Sequence, residues 1–144
     1  MFSKTCEYGL RAVIFIAQQS QLKNRVGVNS IAKEIGSPQA FTGKILQQLS
    51  RNKIIQSVKG PNGGFEIESL RLKNIYLSDI VQILDGDDLF TGCALGLNKC
   101  NADKPCPLHF KFVEIRNRLK DMLDNTSLEK LLVDMNTDLT WLKG

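Results

Sequence analysis

Residues 29–68 read NSIAKEIGSPQAFTGKILQQLSRNKIIQSVKGPNGGFEIE, and the order of signals in this stretch decides the fold. Asn29 is a strong helix N-cap, because its side-chain oxygen can accept from the free amides of a first turn. A short helix is predicted over residues 30–35, with Ile31, Ala32 and Ile35 buried. Gly36 can take the left-handed conformation that ends a helix. Ser37 then caps the next helix, with Pro38 at its first position. That helix extends to about Asn52, with Phe41, Ile45, Leu46 and Leu49 inward and Gln39, Ala40, Thr42, Gly43, Lys44 and Gln47 outward. Two helices joined by a Gly-containing turn form a helix-turn-helix. Ile54-Ile55-Gln56-Ser57-Val58 and Phe65-Glu66-Ile67-Glu68 flank the turn Lys59-Gly60-Pro61-Asn62-Gly63-Gly64, which predicts a β-hairpin. A helix-turn-helix followed directly by a hairpin is a winged helix. Each piece alone is a weak signal, and the order is what carries the reading.

Upstream, Leu10, Val13, Ile14 and Ala17 recur at helical spacing and predict a helix from Thr5 to about Ser20. Lys23-Asn24-Arg25 reads as a loop, and Val26-Gly27-Val28 has room for a single sheet bridge. Downstream, Ser78 is expected to cap a helix through Leu84, ended by Asp85-Gly86-Asp87-Asp88. Residues 92–107 read as a loop. A long helix follows over residues 107–123, and its apolar residues Leu108, Phe112, Ile115, Leu119 and Met122 step as a short heptad seam. Thr126-Ser127-Leu128-Glu129 reads as a capping box opening a last helix to about Met135. The expected architecture is mainly α with a small β-wing. The expected division is a winged helix-turn-helix domain over residues 1–75 and a second region of loop and helices over residues 76–144.

Charge and cysteine follow the same division. The 144 residues carry a net charge of +4, but residues 1–75 hold 11 Lys/Arg against 4 Asp/Glu and residues 76–144 hold 8 against 11. A basic first half and an acidic second half imply two jobs. The longest apolar run, Ala12-Val13-Ile14-Phe15-Ile16-Ala17, has six residues, far from the roughly 18–20 of a membrane span. Met1-Phe2-Ser3-Lys4-Thr5 lacks the apolar stretch of a signal peptide, so a cytoplasmic protein is expected. No nucleophile–base set, carboxylate pair or phosphate-cradling loop stands out, so no enzyme and no small-molecule substrate are expected.

An α-helix fits the major groove of double-stranded DNA, where Gln39, Thr42, Lys44 and Gln47 have chemistry suited to base edges. Gly43 fits either close backbone approach to DNA or a tolerated surface glycine. Arg51 and Lys53, just past the helix, are expected phosphate contacts. Lys59 and Asn62 in the wing turn are placed at phosphate or the minor groove. A solvated basic surface is the plainer alternative. Cys93, Cys100 and Cys106 lie on one loop, where three thiolates can converge on a metal or cluster, and in a reducing compartment this points to metal or redox chemistry. A fourth ligand is then needed. His109 follows Cys106 by three residues, one helical turn, and is a candidate. The spacing differs from the paired C-x2-C of zinc ribbons. Three unconnected thiols are the alternative. Cys6 reads as a small buried hydrophobe and Glu7 as a solvated charge.

Taken together, the chain resembles the Rrf-two family of bacterial winged-helix transcription regulators, the IscR/NsrR/CymR type. Tyr8-Gly9-Leu10-Arg11-Ala12, Ile31-Ala32-Lys33-Glu34, Phe41 through Leu49, Ser57 through Phe65, the three cysteines, and Asp124-Asn125-Thr126-Ser127-Leu128 carry the resemblance. It implies a homodimer with crossing C-terminal helices. It also implies an iron–sulfur cluster held by Cys93, Cys100 and Cys106. The fourth ligand implied is His109, as in the cluster-regulating members, or Glu7 from the partner subunit, matching the carboxylate of nitric-oxide sensors. Two-iron and four-iron clusters both stay open. The six-residue first cysteine gap, Lys59 in place of the usual Arg, and Thr42-Gly43 in the recognition helix depart from the family pattern. The implied function is a sequence-specific DNA-binding regulator, a repressor, gated by a cluster that responds to redox state, nitric oxide or iron–sulfur status. The alternatives are a cluster-free regulator sensing thiol oxidation or a partner protein, and a metal-binding interaction module.

Overall fold

The computed structural model describes residues 1–142. The elements run α1 (Lys4–Gln21), α2 (Val28–Ile35), α3 (Gln39–Arg51), β1 (Gln56–Val58), β2 (Gly64–Glu66), a 3-10 segment (Ser69–Asn74), α4 (Leu77–Asp85), α5 (Asp88–Thr91), α6 (His109–Asp124) and α7 (Leu128–Asn136). Helices dominate, and the two short strands pair antiparallel as the wing, in the order expected. The turn α5 was not anticipated.

α1 is the central beam. The Ser3 hydroxyl accepts from the Cys6 amide at 3.0 Å and caps it. Its stripe Ala12, Val13, Ile16 and Ala17 packs on Ile31 and Ile35 of α2, on Ile45, Leu46 and Leu49 of α3, and on Ile80 of α4. Leu128 and Leu132 of α7 enter the same apolar core. One core therefore runs across the expected boundary at residue 75. Backbone bonds reinforce it where α4 and α7 begin: Leu77 donates to Thr126 at 3.0 Å and Leu128 to Ile75 at 2.9 Å.

Several helix starts differ from expectation. α2 begins at Val28 with Gly27, not Asn29, at the cap position, and no side chain caps it. The cause is tertiary: Val26 and Phe65 exchange backbone hydrogen bonds at 2.8 and 3.2 Å, which hold the chain extended up to that point. Pro38, not Ser37, occupies the cap position of α3, and the Ser37 hydroxyl turns to the Pro38 carbonyl at 3.4 Å. At α4 the Asp79 carboxylate accepts from the Tyr76 amide at 2.9 Å, so Ser78 lies inside the helix instead of capping it. At α7 the cap is Ser127, which accepts from Lys130 at 3.2 Å, while the Thr126 hydroxyl donates back to Met122. The box expected from Thr126 to Glu129 does not form, and a one-sided cap from Ser127 takes its place.

The turn between α2 and α3 follows the reading: Gly36 has φ 67° and ψ 37° and donates to the Ala32 carbonyl. In the wing, Gln56 pairs Glu66, Ser57 pairs Phe65 and Val58 pairs Gly64. Gly64 has φ 138°, and a Cβ there would stand 2.9 Å from the Val26 carbonyl oxygen. Ile54, Ile55 and Ile67, read as strand residues, lie outside the ladder because the core takes them.

α6 stands apart. Of its sixteen residues only His109 and Leu123 are buried. Leu123 joins Cys6 and Val81 in a second small apolar cluster, which fastens the end of α6 to α1 and α4. The seam is open in the single chain, with Leu108 44%, Ile115 60% and Met122 49% exposed. Among the described residues no helix is long and apolar enough to cross a membrane.

Candidate functional site

Burial of Ile45, Leu46 and Leu49 fixes the rotation of α3, and Phe41 meets the Tyr8 ring edge-on at 5.8 Å. That rotation leaves Gln39, Lys44, Gln47 and Arg51 exposed on the far side. An open groove of about 470 Å³ runs between this face and the wing, lined by Ala40, Gly43, Lys44, Gln47, Ser57 and Phe65 among others. A Cβ on Gly43 would meet nothing within 4 Å, so the backbone is open to an approaching molecule there. Thr42 requires a correction. It is 1% exposed and its hydroxyl donates to the Pro38 carbonyl at 2.9 Å, so it cannot present itself to a base edge. A hydroxyl satisfied within its own helix can be buried in place of an apolar residue.

Arg51, Lys53, Lys59 and Asn62 are all exposed. Lys53 is in the left-handed region at φ 62°, turning the chain out of α3, and its carbonyl accepts from Arg71. Arg25 was not singled out by its sequence position, yet it braces the wing. Its guanidinium pairs with Glu66 at 2.9 Å and reaches the Asn62 carbonyl at 3.4 Å. The partners are 41 and 37 residues away, which leaves no local signal.

The cysteine loop spans α5 to α6. Arg116 of α6 donates to the Gly92 carbonyl at 2.6 Å, and Gly96 donates to Cys93 at 3.0 Å in a tight turn. Two pairs of donors result. Cys93 Sγ and Cys106 Sγ stand 3.9 Å apart, and Cys100 Sγ stands 3.1 Å from His109 Nδ1. Cys106 precedes α6, and the His109 amide donates to its carbonyl at 3.0 Å, closing a turn, but this turn does not aim the His109 ring at the Cys106 sulfur. The ring of His109, 8% exposed, turns to Cys100 instead. Backbone N–H groups of Leu97 and Leu95 hold the Cys93 thiol below its ordinary pKa. Burial, together with the nearby Asp85 carboxylate, pushes the Cys6 thiol up to about 12, the behaviour of an inert apolar side chain. Glu7 pairs with Lys4 at 3.3 Å on α1.

Three thiols and an imidazole are suitable donors for iron. Two thiolates on one tetrahedral metal at ~2.3 Å stand ~3.8 Å apart, and the Cys93–Cys106 separation is close to that. Among the described residues no three His, Cys, Asp or Glu side chains stand as one metal-holding group. The donor chemistry thus fits, and the loop has to bring its two pairs together.

A helix-turn-helix packed on further helices, a two-stranded wing and a long, largely exposed helix α6 are the architecture of winged-helix transcription regulators. The chain belongs to the Rrf2 family, described as iron-dependent transcriptional regulators, whose profile matches residues 2–134. It is 32% identical over 134 residues to an HTH-type transcriptional regulator of Aquifex aeolicus (strain VF5), covering 92% of this chain and 91% of that one. It is 24% identical over 127 residues to the HTH-type transcriptional regulator IscR of Vibrio parahaemolyticus, covering 88% of this chain and 74% of that one. Among solved structures, IscR of T. potens superposes with a TM-score of 0.74 at 19% identity, over 98% of this chain and 92% of that one. CymR, the global cysteine regulator of B. subtilis, superposes with a TM-score of 0.73 at 23% identity, over 91% and 95%. At those identities the structures establish the fold.

Proposed function

We propose that this regulator is a homodimeric, sequence-specific DNA-binding repressor gated by an iron–sulfur cluster on the 92–107 loop. The observation that carries the reading is the pairing of Cys93 with Cys106 and of Cys100 with His109 at the start of α6. The three cysteines would hold the group, with His109 or Glu7 of the partner subunit as fourth ligand. When bound, the group supplies a centre reactive to oxidants and nitric oxide.

The chain's own residues supply the rest. Gln39, Lys44 and Gln47 on α3 offer hydrogen-bonding groups to base edges in the major groove. Arg51, Lys53, Lys59 and Asn62 set the register through phosphates, and Arg25 stiffens the wing that carries Asn62. The open seam of α6 pairs with its copy in a second chain. With the two donor pairs tied together, the loop braces the first turn of α6, and with them released it is free to shift. Half-sites lie about 34–36 Å apart, so a small rotation of one α3 against the other spoils the fit.

Anaerobic isolation followed by visible absorbance and iron and sulfide analysis tests the gating. Absorbance that disappears in Cys100→Ala is expected. A protein that is colourless and lacks iron and sulfide after reconstitution overturns the cluster. A gel shift on the promoter of its own gene tests DNA binding separately.

A further inference from the structure

We propose that Cys93 and Cys106 are a disulfide-forming pair in the cluster-free protein, with Cys100 excluded from the exchange. The inference does not depend on the cluster reading, because it concerns the thiols when nothing is bound to them.

The geometry selects this pair. Their sulfurs are 3.9 Å apart, and a disulfide bond is ~2.05 Å, so closing it needs a shift of about 1.9 Å. The loop can supply that movement. Cys93 sits at the start of a tight turn whose Gly96 has φ 74°, and residues 92–108 contain no helix or strand. Cys93 and Cys106 are both half-buried residues, as is Cys100, so the sulfur separation and not exposure selects the pair. The other thiols are held elsewhere. Cys100 contacts His109 Nδ1 at 3.1 Å, and His109 is itself buried. Cys6 is fully buried against Val81 and Leu123, on a different element. Arg116 pins the Gly92 carbonyl, so the Cys93 end of the loop starts from a defined place.

The oxidant is a peroxide of the hydrogen peroxide class. One thiol sulfur attacks a peroxide oxygen, the O–O bond breaks, and a sulfenic acid and one water form. The second thiol sulfur attacks the sulfenic sulfur, the S–O bond breaks, and a second water leaves with the remaining thiol proton. Two thiols are oxidised by two electrons and one peroxide is reduced to two waters. The link would join positions 13 apart in the chain and draw the two sulfurs together ahead of α6. It would also withdraw two of the three thiolates from any metal.

The test uses the full chain, reduced and stripped of metal by chelation, then treated with hydrogen peroxide near stoichiometric amounts. The monomer mass should fall by about 2 Da and recover with dithiothreitol, as two thiol hydrogens are lost and regained. Cleavage after Lys99 and before Asp103 places each loop cysteine on its own peptide. The linked pair should carry Cys93 and Cys106, with Cys100 still alkylatable. Cys100→Ser should keep the mass loss, and Cys106→Ser should abolish it. A link through Cys100, a link between two chains, or oxidation of single thiols without any link overturns the proposal. The wild-type peptide map decides this even if a variant folds poorly. A colourless protein that still forms the Cys93–Cys106 link removes the cluster and leaves this inference standing, and a cluster-bearing protein without the link does the reverse.

Discussion

Arg116 in the middle of α6 donates to the carbonyl of Gly92, the residue before the first loop cysteine, at 2.6 Å. The same guanidinium stands 5.7 Å from the Phe112 ring on the seam, and its Nε is buried without a partner. One side chain therefore joins the cysteine loop to the helix proposed to form the dimer. Replacing it with Met keeps the apolar stem and removes the bond. Arg116→Met should leave the helical circular dichroism unchanged and, if the proposed cluster is bound, shorten the lifetime of its absorbance in air, since outer-shell losses cost metal affinity by about tenfold or more. An unchanged decay would mean that the tie does not hold the loop.

Ile115 is 60% exposed in the single chain, in the middle of the seam. Ile115→Glu should cost the isolated chain less than about 0.5 kcal/mol, because exposed substitutions usually do little. In a dimer it would bury two like charges near each other. Sedimentation should show a monomer at concentrations where the wild type forms the proposed dimer, and binding to a two-half-site operator should fall with it.

Thr42 and Gln47 lie five residues apart on α3 but face opposite ways. Thr42→Val should lower stability by about 1 kcal/mol through its lost hydrogen bond and leave sequence preference unchanged. Gln47→Ala should keep stability and relax discrimination at one base pair by about 1–3 kcal/mol. Binding-site selection on both variants checks this contrast.

Lys59 is exposed beside the wing turn. Lys59→Ala should weaken all DNA sequences alike and lower the slope of log affinity against log salt by about one unit. A slope that stays put in a salt titration removes Lys59 from the phosphate contacts.

Cys6 gives a pH dependence. Its thiol is pushed from 9.0 to about 12 in the folded chain. The fold therefore favours the protonated form, and that contribution is complete below pH 9. Between pH 9 and 12 the unfolded chain has lost the proton while the folded chain keeps it, so stability falls as pH rises. Denaturant midpoints should drop over this window in the wild type and drop less in Cys6→Ala.

Much of this was legible in local patterns. Gly36, the apolar steps of α3 and the turn at Lys59–Gly64 are short-range signals, and their order named the winged helix. The cysteines were legible as a group because they share one loop. The helix starts were less so. Asn29, Ser37 and Ser78 are all good caps by type, but the Val26–Phe65 bridge, Pro38 and Asp79 set the boundaries. Thr42 was misplaced for a related reason: its polarity reads outward, and only the i−4 carbonyl explains its burial.

Periodicity and turn chemistry act within a few residues, so sequence could specify the elements, their order and the residue types at each candidate site. The pairing of donors could not be read that way. Cys93 with Cys106, Cys100 with His109, Arg116 with Gly92 and Arg25 with Glu66 join positions between 9 and 41 apart. Those contacts depend on how α6 sits against the loop and how the wing sits against α1. The shared core of α1, α3 and α7 sets the second, and the cluster of Cys6, Val81 and Leu123 anchors the first, through packing that no local window contains.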